Sequence, residues 1–185
     1  DTLVQNVDGT YTLTSKHGEK EVYDVNGLLT RIEDRNGNAL TFTYDLAGPL
    51  PLSGQSAFFV NQMTGVLARD FRLIRITDAT GHTVDFAYTP EGRLDTLTYA
   101  GRTIRYGYNP DGDLVSVRTP TTPEFPNGNT TTYAYTNHNL TTMTDPKGQT
   151  YLTNIYNAND CVTQQTYGSG TSILSYTSSP LCPTV

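Results

Sequence analysis

Tyrosines recur along this chain at intervals of 20 or 21 residues: Tyr23 and Tyr44, Tyr88 and Tyr108, Tyr135 and Tyr156, then Tyr156 and Tyr176. Each opens a unit that reads Tyr, then Asp, Asn or Thr, then two free positions and Gly. A Leu, a further aliphatic residue, an Asp and a second Gly follow, and the unit closes on a segment ending aromatic-x-Tyr. Tyr23-Asp24-Val25-Asn26-Gly27 runs in this way through Leu29, Ile32, Asp34 and Gly37 to Phe42 and Tyr44. So short a unit has room for two strands and two turns. It cannot bury its apolar face alone, so the chain is predicted to stack its units against one another.

Local chemistry gives the same reading. Leu40-Thr41-Phe42-Thr43-Tyr44, Val84-Asp85-Phe86-Ala87-Tyr88, Ile104-Arg105-Tyr106-Gly107-Tyr108 and Thr132-Tyr133-Ala134-Tyr135 alternate with a period of two. That puts aromatic and branched residues on one face of an extended segment. Turn signals separate them, among them Asp8-Gly9, Asn26-Gly27, Asn36-Gly37, Thr80-Gly81, Asp111-Gly112 and Lys147-Gly148. Such pairs supply the positive φ that tight hairpins require. No segment carries a convincing helical period. The expected fold is all-β, with stacked antiparallel hairpins of about 21 residues in a continuous twisted, spiralling sheet. The repeat aromatics Tyr23, Phe42, Tyr44, Phe86, Tyr88, Tyr106, Tyr108, Tyr133, Tyr135 and Tyr156 would form rows on its inner face.

The tyrosine-aspartate pairs Tyr23-Asp24 and Tyr44-Asp45, with Gly27 and the downstream Asp34 and Gly37, resemble the YD repeat of the RHS/YD-repeat superfamily. Degenerate copies run from Tyr23 to about Tyr167. The resemblance implies a long sheet that spirals into a hollow shell, as in bacterial polymorphic toxins, the shell components of insecticidal toxin complexes, and the teneurins. A complete shell of that kind has many more repeats. Its plug and self-cleaving aspartate region are not recognisable here. Asp145-Pro146-Lys147-Gly148 reads as an ordinary turn of the repeat, because Asp34 to Gly37 and Asp78 to Gly81 occupy the same place.

Three regions are expected: N-terminal strands over 1–22, the repeat sheet over 23–167, and an irregular tail over 168–185. Two stretches interrupt the sheet. The first, about 46–70, contains Phe58 and Phe59, a candidate partner-contact loop or a loop folded over the sheet. The second, 119–129, carries Pro120, Pro123 and Pro126 and is expected to be an extended hairpin tip. The first residues, Asp1-Thr2-Leu3-Val4, suggest a processed chain or an excised piece.

Little in the sequence points to chemistry. Net charge is −6, with 12 Lys and Arg against 18 Asp and Glu, which disfavours nucleic acid. No apolar run approaches the roughly 20 residues of a membrane span. His17, His82 and His138 each sit beside a turn and show no ligand spacing, so no metal is expected. Asp34-Arg35-Asn36-Gly37-Asn38 and Asp111-Gly112-Asp113 are explained by turn chemistry rather than calcium. Phosphate-loop, dinucleotide and Gly-x-Ser-x-Gly motifs are absent. No cofactor and no catalytic residue is assigned. Asn129-Thr130-Thr131 and Asn139-Leu140-Thr141 match the N-glycosylation acceptor, a common triplet in a chain rich in Thr and Asn.

Cys161 and Cys182 are the only cysteines, 21 positions apart. If each unit were one solenoid rung, equivalent positions would stack about 4.8 Å apart; if each is a hairpin, about 9.6 Å apart. The longer distance exceeds disulfide reach unless the tail folds back. A Cys161–Cys182 clamp is therefore a hypothesis, and it would imply an oxidising compartment.

The leading expectation is a non-catalytic structural module of a secreted or cell-surface protein, a scaffold or shell around cargo. Its partners would be neighbouring repeats, further copies of itself, or enclosed cargo. Two alternatives stand beside it: a fibre subunit assembling by edge-strand pairing, and an adhesin whose tyrosines stack on sugars.

Overall fold

The computed structural model describes residues 1–46 and 71–173. It divides into two compact units, Asp1–Gly101 and Arg102–Val185. The described part of the first holds β1 (Thr2–Gln5), β2 (Tyr11–Thr14), β3 (Lys20–Tyr23), β4 (Leu29–Glu33), β5 (Ala39–Leu46), β6 (Phe71–Thr77), β7 (Thr83–Tyr88) and β8 (Leu94–Tyr99). The second holds β9 (Arg102–Tyr108), β10 (Leu114–Arg118), β11 (Thr130–Thr136), β12 (Asn139–Thr144), β13 (Thr150–Tyr156), β14 (Val162–Tyr167) and β15 (Gly170–Ile173). Among the described residues there is no helix. Within each unit every strand pairs antiparallel with its sequence neighbours. The repeats are therefore hairpins and not solenoid rungs, which resolves the alternative left open above.

One turn design explains most of the connections. At Asp24 the backbone N–H donates to the Leu28 carbonyl at 2.9 Å, and the Gly27 N–H donates back to the Asp24 carbonyl at 3.0 Å. This is the three-residue hairpin loop whose last residue needs positive φ, and Gly27 has φ 81°. The Asp24 side chain completes it: its Oδ1 accepts the N–H of Asn26 at 2.8 Å and that of Leu28 at 2.9 Å. Asp34, Asp78 and Asp145 repeat the pattern. A carboxylate that satisfies two turn amides explains why the repeat carries Asp before its Gly. Asn157 does the same work without a glycine, with Asp160 taking the positive φ at 59°.

Other connections differ. β11 and β12 join through Asn137 and His138, both at positive φ (50° and 65°), a two-residue turn of the kind whose twist suits hairpins. Between β10 and β11, the Thr119 N–H donates to the Asn129 carbonyl at 2.9 Å, which extends the hairpin beyond its strands. β5 and β6 still pair at Leu46 with Phe71. Phe58 and Phe59 lie outside the described residues.

The apolar positions of the described residues do not converge on a closed interior. Among the described residues only Cys161 is buried, at 3% exposure, and no large side chain is fully covered. A chain of this size normally buries roughly 70% of its unfolded surface. Within each unit the described strands lie in one sheet, and nearly all of their residues are half-buried or exposed.

Candidate functional site: the half-buried aromatic face

Period-two geometry sends alternate residues of each strand to opposite faces. One face of the first unit carries Ile32, Leu40, Phe42, Tyr44, Ile76, Val84, Phe86 and Tyr88. The strand register places each repeat aromatic opposite an aliphatic residue: Phe42 faces Ile76 and Tyr44 faces Leu73, while Phe86 faces Leu97 and Tyr88 faces Leu94. Tyr23 faces Tyr11 on one side and Leu29 on the other. In the second unit Tyr106 faces Val117, Tyr108 faces Leu114, Tyr133 faces Met143, Tyr135 faces Leu140 and Tyr156 faces Val162. The rows are thus aromatic against aliphatic. All ten rings are half-buried rather than enclosed.

The phenol groups carry a second regularity. The Tyr44 hydroxyl donates to the Leu29 carbonyl at 2.9 Å, Tyr88 to Leu73 at 2.8 Å, and Tyr156 to Leu140 at 2.7 Å. In each case the tyrosine that ends one repeat reaches back across its hairpin to a leucine of the preceding strand. The ring packs and its polar tip is satisfied, which is the usual requirement for burying a tyrosine. Burial raises the Tyr44 and Tyr135 hydroxyls above their ordinary range, helped by the carboxylates of Asp24 and Asp113 respectively. Tyr23 instead bonds the Glu21 carboxylate on the same strand. The Arg72 guanidinium lies 5.6 Å from the centre of the Tyr88 ring, close enough for cation–π attraction.

The remaining candidates resolve into turn chemistry. The Asp34 carboxylate is occupied by its own loop: Oδ1 accepts two backbone amides, and Oδ2 accepts the Asn38 side-chain amide at 2.8 Å. Those bonds, the Asn38 side chain first, hold its carboxyl below the usual range. His17 sits in the Ser15 turn, where its N–H donates to the Ser15 hydroxyl at 3.2 Å. His82 lies 3.1 Å from the Asp78 carboxylate within one turn. Among the described residues no group of three or more His, Cys, Asp and Glu side chains could hold a metal ion. None of them forms a helix long and apolar enough to cross a membrane.

Two contacts were invisible in the sequence. His138 Nδ1 lies 2.8 Å from Asp113 Oδ1 across 25 residues, and this carboxylate holds the imidazole above its ordinary range. The neighbouring Asn139 amide donates to Asp160 Oδ1 at 2.7 Å across 21 residues. Turns at one end of the second unit are therefore tied tip to tip. Spacing by one repeat was a signal only for Asn139 and Asp160. Cys161 sits at the start of this last hairpin, and Cys182 lies outside the described residues.

The chain matches two descriptions of known families. The model of the Teneurin YD-shell covers residues 6–134, and that of the RHS repeat covers residues 125–150. No curated protein matches it. Among solved structures, the crystal structure of TcdB2-TccC3-Cdc42 is 14% identical, with a TM-score of 0.31 over 88% of this chain and 12% of that chain. TcdB2-TccC3 without its hypervariable C-terminal region gives 14% and 0.31, over 88% and 13%. A Photorhabdus luminescens Tc holotoxin pore gives 13% and 0.30, over 88% and 13%. This chain thus spans a small fraction of the length of those chains, and likeness at this level carries no weight of its own.

Proposed function

Because the chain belongs to the Teneurin YD-shell family, we propose that it is a length of shell wall: a non-catalytic sheet whose aromatic face is completed by further repeats or by enclosed cargo. The carrying observation is the half-buried face itself. Ten rings are held in register, three of them tied by hydroxyl bonds, yet among the described residues none is enclosed. A sheet that is hydrophobic on one face needs a second layer to bury it. The wall belongs to a secreted or cell-surface protein, where such shells enclose or display.

The face is testable in the isolated chain. An open wall binds the dye ANS under native conditions and leaves its repeat tyrosines reactive to tetranitromethane. Phe42→Thr with Phe86→Thr lowers the ANS signal by about half while the Asp turns keep their hydrogen-exchange protection. A chain that binds no dye and whose tyrosines are unreactive has a closed face, and the wall reading fails.

A further inference from the structure

The charged residues are unevenly spread over the strands. β1–β8 carry Lys20, Glu21, Arg31, Glu33, Asp45, Arg72, Arg75, Asp85 and Asp95. The five consecutive strands β11–β15 carry no Asp, Glu, Lys or Arg at all. On the face opposite Tyr133, Met143, Leu152 and Tyr167, the register lines up Ala134, Thr142, Thr153, Thr166 and Thr171 across all five strands without a break. A parallel pair, Thr132 opposite Thr144, flanks that row. Neighbouring hydroxyls pair within the face, Thr144 with Thr150 and Thr166 with Thr171, each at 3.2 Å. Each such pair satisfies hydroxyls within the face itself.

We propose that this threonine face of β11–β15 binds a second copy of the chain, face to face about a two-fold axis. Charge decides the partner. A charged surface laid on this face would lose water and gain no counter-charge. The chain as a whole carries a net charge of −6, so two copies repel wherever their charges meet. Here they meet without one. Identical rows at the sheet's own strand spacing, about 4.8 Å, offer each other matching ridges of small branched side chains. An isologous contact needs such a self-complementary patch. Five strands about 4.8 Å apart and roughly 20 Å long present about 480 Å² per copy. That is about 960 Å² in all, below the roughly 1,200–2,000 Å² of stable specific interfaces, so the association is weak and reversible.

The inference uses the opposite face from the proposed wall interior and can fail without it. Sedimentation equilibrium of the intact chain, up to about 0.5 mM, should show a reversible dimer suited to so small an interface. The dimer should survive about 1 M salt, because no ion pair holds it. Thr153→Lys, or the more exposed Thr171→Lys should the first fail to fold, raises the dissociation constant at least about tenfold by burying an uncompensated cation. Thr41→Lys, an exposed position in the first unit, leaves it unchanged. A chain that stays monomeric throughout overturns the proposal. So does a dimer that a folded Thr171→Lys variant forms as well as the wild type, which would place the contact on the aromatic face or a strand edge.

Discussion

The two units build the same hairpins from opposite surface chemistry. In Asp1–Gly101 the face opposite the aromatics is charged and internally paired: Arg31 and Lys20 both meet Glu33, at 2.6 and 3.3 Å, and Arg75 meets Asp85 at 2.5 Å. In the last five strands of the second unit that face is threonine. Turns do not follow that divide. Asp24, Asp34 and Asp78 accept turn amides in the first unit, and Asp145 does so in the second beside Asn109 and Asn157. The strands of the first unit therefore carry ion pairs, while β11–β15 carry no Asp, Glu, Lys or Arg for salt or acid to act on.

Glycine substitution gives the largest contrast. Gly128 has φ 70°, and a Cβ there would strike the Thr119 carbonyl at the base of the long hairpin tip. Gly128→Ala should cost about 3 kcal/mol, combining left-handed strain with overpacking. Gly37 has φ 87° but open space around it. Gly37→Ala should cost only the conformational part, about 1–2 kcal/mol. Urea denaturation followed by peptide-level hydrogen exchange separates the two units, and equal costs would mean that the clash is relieved by movement of the tip.

A bridge from Cys161 to Cys182 would act on the second unit alone. Closing that loop is worth roughly 3 kcal/mol, so a reductant should lower protection in residues 102–173 and leave the first unit untouched. Two free thiols in non-reduced protein would remove the bridge from consideration. Tyrosine clamps come next. Tyr44→Phe in the first unit and Tyr156→Phe in the second should each cost about 1 kcal/mol, the net worth of one hydrogen bond with its carbonyl left unpaired. Similar losses on both sides would show that the clamp is indifferent to surface charge.

Acid and base should act on opposite units. Asp34 is held low by the Asn38 side chain and Asp78 by the Thr80 hydroxyl. At Asp24 burial opposes the shift, but the Leu28 amide and the Asn26 side chain prevail. Carboxyls held low stabilise fully above the unfolded value of about 4 and lose that contribution as pH falls through the folded values. The first unit should therefore weaken on acidification. His138 in the second unit is held high by Asp113. Its contribution is complete below about pH 6.5 and is lost as pH rises through the folded value. Exchange protection at Asn137–Asn139 that does not fall on going from pH 6 to pH 8 would mean that the pair is not formed. The smallest effect is salt: screening the exposed Arg75–Asp85 and Lys20–Glu33 pairs should shift only the first unit, and slightly.

The period of two and the turn dipeptides made the hairpins legible, because each depends on residues within about five positions of one another, and the Tyr-to-Tyr interval of 20 or 21 residues marked where each repeat begins. The RHS and YD-shell assignment came from the same local record, repeated in register. Some turns escaped it: Ser15 to Glu19 lacks an acid at its start, and Asn157 to Cys161 lacks a glycine, yet both close in the same way. In each the oxygen acceptor, and not a fixed residue type, is what the loop requires.

Residue order alone thus determined an all-β chain of hairpins punctuated by Asp, Asn and Gly, since strand and turn propensities are properties of short segments. Only the tertiary structure decided which partner each side chain meets. Register bulges such as those at Tyr44 and Tyr88 accompany the phenol bonds to Leu29 and Leu73. Strand pairing brought His138 to Asp113 across 25 residues and gathered separate threonines into one row. Such contacts arise between distant segments, where register and twist choose among neighbours that composition leaves equivalent.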